Sequence, residues 1–140
     1  MTSIQTSLAL GKPRFLDTDL QQIAANQSAL IAWEKAIERH KTDAPNTVAG
    51  DFAVAMQTVA GTIFMAVDRF AIRSLCYREV GGRLYFAERS DELVDANTEI
   101  DPQAIYDYFY FHVIPSPRTI FKNVFRLPAG HYAIFDQGIL

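Results

Sequence analysis

The 140-residue chain carries one thiol, Cys76, and three imidazoles, His40, His112 and His131. A thiol acts as a nucleophile only as thiolate, which needs a cation or a helix N-terminus beside it and some exposure. Cys76 stands within the strand-like step Leu75-Cys76-Tyr77 and reads as an inert, buried cysteine. The histidines share no metal-ligand spacing, so no metal site is expected. His131 follows Gly130 at a strand start and reads as a hydrogen-bonded structural histidine rather than a base. Asp68-Arg69 closes an apolar run; an ion pair pinning the strand end is preferred over a ligand anchor. Gly81-Gly82 is a turn, because no helix follows to complete a phosphate cradle. Tyr106, Tyr108, Phe109, Tyr110 and Phe111 form an aromatic stripe whose preferred role is core or interface packing. On these grounds no catalytic residue, metal or cofactor is assigned.

Such a chain has room for one domain with a real core. Of its residues 49% are apolar and 21% charged, which favours a folded globule over disorder. Thirteen basic against sixteen acidic side chains leave a net charge of −3, with no basic patch of the kind that binds nucleic acid. No apolar run has the length of a membrane span, and the opening MTSIQTSLALGKPR lacks the features of a signal peptide. A single cysteine makes no internal disulfide, so a reducing cytoplasm is the expected compartment.

The elements follow from periodicity and punctuation. Residues 3–10 read as a strand ending at Gly11. Asp17 reads as the N-cap of a helix to residue 26, and residues 28–40 form a second helix with Leu30, Trp33 and Ile37 at helical spacing. KTDAPNTVAG is a connection. Residues 51–58 and 62–68 form a hairpin, and residues 71–80 and 83–88 a second one about Gly81-Gly82. In the first hairpin Phe52 to Met56 and Ile63 to Val67 run apolar without alternation, as strands covered on both faces do. That predicts a layered α+β sandwich. A short helix at residues 91–96 is followed by one that Asp101 caps and Pro102 starts, with Ile105, Tyr108 and Phe109 as its buried side. Pro115 and Pro117 stop that helix and hold an extended crossover, which Arg118 and Phe121 tie to the sandwich. HYAIFD is the last strand.

The stretch PQAIYDYFYFHVIPSPRTIFKNVFRLPAGHYAIFD resembles a segment of glutamine-dependent asparagine synthetases. There a helix runs into a Pro-x-Pro-Arg-Thr-Ile-Phe turn and then a Leu-Pro-x-Gly-His-Tyr strand start. GDFAVAM resembles that family's Gly-Asp/Met-Phe-Ala-Phe-Ala strand. MAVDRFAIRSLCYREVGGRLYFAERSDEL is similar to its Ala-Arg-Asp-Arg-Phe-Gly-Ile-Lys-Pro-Leu-Tyr-Tyr hairpin. Order and spacing agree over residues 50–136. The resemblance implies one class II glutamine amidotransferase domain over residues 1–140, with an N-terminal-nucleophile (Ntn) hydrolase sandwich of antiparallel sheets flanked by helices. It implies L-glutamine as ligand, hydrolysis at an N-terminal cysteine whose own amine is the base, and ammonia passed to an ATP-using synthetase domain.

The sequence departs from that pattern where the chemistry would sit. Thr2, not cysteine, follows Met1, and nothing near it resembles a Cys-Gly-Ile opening. The family's next, arginine-bearing strands are missing, so the chain is expected to enter the fold partway. LALGKPRF falls where the family has Asn-Gly-Glu-Ile-Tyr-Asn: Gly11 matches the glycine, a remnant of substrate binding, and Leu10 replaces the oxyanion-holding asparagine. Losing such a donor costs about a hundredfold to a thousandfold in rate. No aspartate stands at residues 26–29 to grip substrate, Ala71 and Ser74 replace a glycine and a proline, and there is no Ser-Gly-Gly-Leu-Asp-Ser loop for ATP. The expectation is therefore an amidotransferase domain catalytically incomplete as given, acting as a scaffold or partner-binding module beside a synthetase-type protein. The alternative is a fragment of an active enzyme whose nucleophile and ATP-using domain lie outside the chain. A third is a small-molecule sensor that keeps the glutamine pocket. Missing strands would leave an unpaired sheet edge, which predicts a homodimer or a bound partner.

Overall fold

A computed structural model of the chain describes residues 6–140. Two connected helices lie on a four-stranded sheet, which lies on a three-stranded one. Helix α1 (Thr18–Asn26) starts where the Asp17 side chain accepts from Asp19 N, and α2 (Ala29–His40) where Ser28 accepts from Ile31 N. Both caps are where the sequence puts them. KTDAPNT, expected as a bare connection, winds into a 3-10 helix after α2.

The four-stranded sheet has the order β1 (Ser7–Gly11), β4 (Phe52–Gln57), β5 (Ile63–Val67), β9 (Tyr132–Phe135), all antiparallel. The part of the first expected strand before residue 6 lies outside the described residues. Strands β2 (Arg14–Phe15) and β3 (Val48–Ala49) pair beside it. The second sheet has the order β7 (Arg83–Ala87), β6 (Cys76–Val80), β8 (Phe125–Arg126).

The apolar runs in β4 and β5 are explained by two cores, one on each face of the sheet. Phe52, Val54, Met56, Phe64 and Ala66 face α1 and α2 and pack with Leu20 and Trp33. The alternate residues Ala53, Ala55, Met65 and Val67 face the second sheet and meet Leu75, Leu84, Phe86 and Leu127. Trp33 is fully buried, with Phe15 edge-on at 5.3 Å and Phe52 tilted at 4.9 Å between ring centroids. The α+β sandwich is thus observed.

Four local expectations are corrected. Strand β6 begins at Cys76, not residue 71, because the Asp68 carboxylate bonds the amides of Phe70 and Ile72 and curls the intervening chain into a turn. The helix at residues 91–96 is a single 3-10 turn, Ser90–Leu93. Helix α3 (Pro102–Phe111) has the expected Asp101 cap, but only Ala104 is buried; Ile105, Tyr108 and Phe109 are 41%, 55% and 76% exposed. Among the described residues no layer covers this helix, so its apolar stripe stays open. And α3 ends at Phe111, where His112 turns left-handed (φ 59°), three residues before Pro115.

The crossover that follows is tied as much to α3 as to the sheets. Arg118 bridges Asp101 at 3.0 Å and Asp107 at 3.4 Å, which holds the Asp101 carboxyl below its usual range. Phe121 makes a bridge to Ile100. Arg126 donates from Nη2 to the carbonyl of Ile114 at 3.0 Å.

Candidate functional site

Gly11 sits where β1 leaves the large sheet and crosses toward β2, and the returning chain crosses back at Gly50-Asp51 between β3 and β4. Both glycines are left-handed, φ +84° and +88°. The two crossings touch: a Cβ on Gly11 would lie 2.3 Å from the Asp51 carbonyl oxygen and 3.0 Å from its Oδ2. A Cβ on Gly50 would lie 2.6 Å from the Lys12 carbonyl oxygen. Lys12 N donates to Asp51 O at 2.9 Å, locking the corner. Only glycine admits this approach, for steric and conformational reasons alike.

Around the corner stand four charged groups. Asp51 Oδ2 is 3.5 Å from Arg73 Nε, and Arg73 reaches Glu88 at 3.7 Å. The fourth, Asp68, is 4% exposed and is not the ion-pair partner of Arg69 that the sequence suggested. Its Oδ2 accepts from Phe52 N at 3.1 Å and its Oδ1 from Phe70 N at 2.9 Å. Its main chain donates to Phe52 O and accepts from Ala71 N and Gly130 N. The Leu-Pro-Ala-Gly-His step thus docks on Asp68 through Gly130, while His131 Nδ1 and the Ala129 carbonyl oxygen lie 2.9 Å apart. That is the hydrogen-bond contact expected of His131.

The corner can hold a polar group by main-chain contacts, a carboxylate and an arginine, but among the described residues it contains no nucleophile. Leu10 packs its side chain against the core between the sheets and offers no donor. Cys76, in the other sheet, is 4% exposed. Burial raises its thiol pKa from 9.0 to about 11; Arg126 opposes the shift, and Glu92 and Asp91 add to it. Thr2 lies outside the described residues. Among the described residues no three His, Cys, Asp or Glu side chains converge as metal ligands, and no helix is long and apolar enough to cross a membrane.

The thiol gives a direct test. At pH 8 native Cys76 should be alkylated by iodoacetamide at least about a hundredfold more slowly than in the unfolded chain, from the two-unit difference alone. The folded pKa is above the unfolded one, so the stability this thiol contributes is complete below about pH 9 and lost as pH rises toward about 11. A native rate matching the unfolded rate would show the thiol to be exposed.

Hollows flank the sheets among the described residues. One of about 450 Å³ lies between Cys76, Arg126 and the C-terminal end of α3. Another, about 320 Å³, lies where Ser7 and Gln57 meet Ile31 and Glu34 of α2. The sequence singled out neither, because each gathers residues from distant segments.

Residues 31–140 match the family model described as a glutamine amidotransferase domain. Asparagine synthetase (glutamine-hydrolyzing) 1 of Bacillus subtilis strain 168 is 32% identical over 108 residues, covering 74% of this chain and 17% of the relative. A Mycobacterium tuberculosis protein that carries the asparagine synthetase (glutamine-hydrolyzing) name provisionally is 33% identical over 99 residues, covering 66% of this chain and 15% of the relative. A Methanocaldococcus jannaschii protein, likewise provisionally named, is 31% identical over 81 residues, covering 54% and 16%. The chain spans about one sixth of the length of these curated relatives. With residues 31–140 matching that family model and these relatives about 31–33% identical, the chain belongs to the glutamine amidotransferase domain family, of the asparagine-synthetase type.

Proposed function

We propose that these residues form one amidotransferase-like unit with an Ntn-hydrolase-type sandwich that keeps a glutamine-facing corner at Gly11 but lacks the hydrolytic chemistry. It serves as a scaffold or partner-binding module for a synthetase-type protein in the cytoplasm. The observation that carries this reading is Cys76: the one cysteine of the sequence is buried in a strand of the second sheet, with its thiol pushed up to about 11. A protonated, inaccessible thiol cannot attack an amide. Leu10 in place of an amide side chain supports the same conclusion, since an oxyanion needs a donor.

The test is a calorimetric titration of the purified chain with L-glutamine, with L-asparagine and L-glutamate as controls, beside an ammonia-release assay. No turnover is expected. Sustained ammonia release from glutamine would overturn the reading, and saturable, glutamine-selective heat without turnover would convert the scaffold into a glutamine sensor.

A second reading is favoured by the fraction of the relatives that is covered: the chain is part of an active enzyme whose nucleophile and ATP-using domain lie outside it. Intact-mass measurement of the polypeptide from its source decides this. A mass well above 15.7 kDa with an N-terminal cysteine supports it, and a 15.7 kDa species rejects it.

The module is also proposed to pair with a second copy. Among the described residues β1 has a partner, β4, on one side only, and an open edge offers unpaired main-chain groups. Light scattering is expected to report a dimer; a monomer persisting at high concentration would reject it.

A further inference from the structure

We propose that the hollow between Cys76, Arg126 and the end of α3 is a binding site for a small monocarboxylate with an apolar tail. This does not depend on the glutamine reading.

The argument rests on the charges of the lining. Four charged side chains face the hollow, Glu88, Arg89, Asp91 and Arg126, and the His112 ring lines it too. Arg89 and Asp91 neutralise each other through a two-pronged contact, Nε to Oδ1 at 2.9 Å and Nη2 to Oδ2 at 2.7 Å. Glu88 faces Arg73. Arg126 alone has no carboxylate partner among the described residues. Its guanidinium is nevertheless held in place, by the Ser116 hydroxyl on Nε at 3.3 Å and the Ile114 carbonyl on Nη2 at 3.0 Å. Both partners are neutral, and Nη1 makes no hydrogen bond among the described residues. A half-buried cation without a counterion is expensive, and a planar carboxylate is the partner its fork fits.

The surroundings select among anions. The C-terminal end of α3 presents the negative end of its dipole here, and Glu88 and Asp91 line the hollow, so a multiply charged anion is disfavoured. The buried Cys76 thiol stays neutral at physiological pH and does not compete for the arginine. Tyr108, Val113, Ile114 and Ile120 supply apolar wall, and a volume near 450 Å³ exceeds what a bare carboxylate needs.

An amide NMR titration of the full chain with 3-phenylpropanoate tests this, with 3-phenylpropanamide and sulfate as the neutral and generic-anion arms. Saturable shifts are expected at Cys76, Ile120 and Arg126, with the amide at least about tenfold weaker because it forfeits the charge-assisted bonds. Arg126→Gln should abolish binding, but it also removes the latch on Ile114 and Ser116. Val113→Asp therefore serves as the second variant: it leaves those bonds intact and brings a competing carboxylate to a half-exposed wall position. No saturable shift in the folded chain, an equal response to the amide or to sulfate, or undiminished binding in Val113→Asp would each overturn the proposal. Glutamine binding would be read separately, at Gly11 and Asp51.

Discussion

Gly11→Ala is expected to cost about 3 kcal/mol or more, from two sources that add. A left-handed backbone costs a non-glycine residue about 1–2 kcal/mol, and Gly11 has φ +84°. The new Cβ would also lie 2.3 Å from a main-chain carbonyl oxygen of Asp51, which no rotamer change relieves. The crossing strands must separate, straining the Lys12–Asp51 bond, and overpacking of this kind costs about 1–3 kcal/mol. Against a total stability of about 5–15 kcal/mol the loss is large. Urea unfolding measures it, with Gly81→Ala as control: Gly81 has φ +60° but nothing within 4 Å of its would-be Cβ. Equal losses at the two glycines would show that the close approach at Gly11 is not a constraint.

The second large effect is expected at Asp68. Asp68→Asn keeps one acceptor oxygen but turns an NH₂ group toward an amide that now donates to the carboxylate. A buried donor left unsatisfied costs about 1–3 kcal/mol, and two strong amide donors, Phe52 N and Phe70 N, depend on this side chain. A loss of about 2–4 kcal/mol is expected for Asp68→Asn, and more for Asp68→Ala, which orphans both. Faster hydrogen exchange at the Phe52 and Phe70 amides should accompany it. Arg69→Ala should stay within about 0.5 kcal/mol, as exposed substitutions do. A loss at Arg69 rivalling that at Asp68 would restore the ion-pair reading.

Much of the architecture is written locally. Asp17, Ser28 and Asp101 cap helices where short polar side chains precede apolar-periodic runs, because capping depends on residues only two or three apart. The unbroken apolar runs of β4 and β5 reveal a sheet covered on both faces, because a strand loses its alternation when neither side meets water. The family, too, is legible in ordered short motifs, and the family match agrees. Strand β8 was missed, since two residues, Phe125 and Arg126, carry no period.

What the sequence by itself determined, then, was the set of elements, their capping and the kinship; what only the tertiary structure decided was which groups meet. Asp68 looked like half of an ion pair, yet it serves amides at Phe52, sixteen residues away, and its carbonyl holds Gly130. The α3 aromatics looked like core or interface, yet they lie open, with no layer over that helix among the described residues. Gly11 and Asp51 are forty residues apart and meet only because both chains turn at one corner of the sandwich. Among the described residues Arg126 has no carboxylate partner, because Arg89 and Asp91 pair with each other and Glu88 faces Arg73. Capping and periodicity act over a few residues and leave a local trace; a close crossing or an unpaired charge depends on distant segments and leaves none.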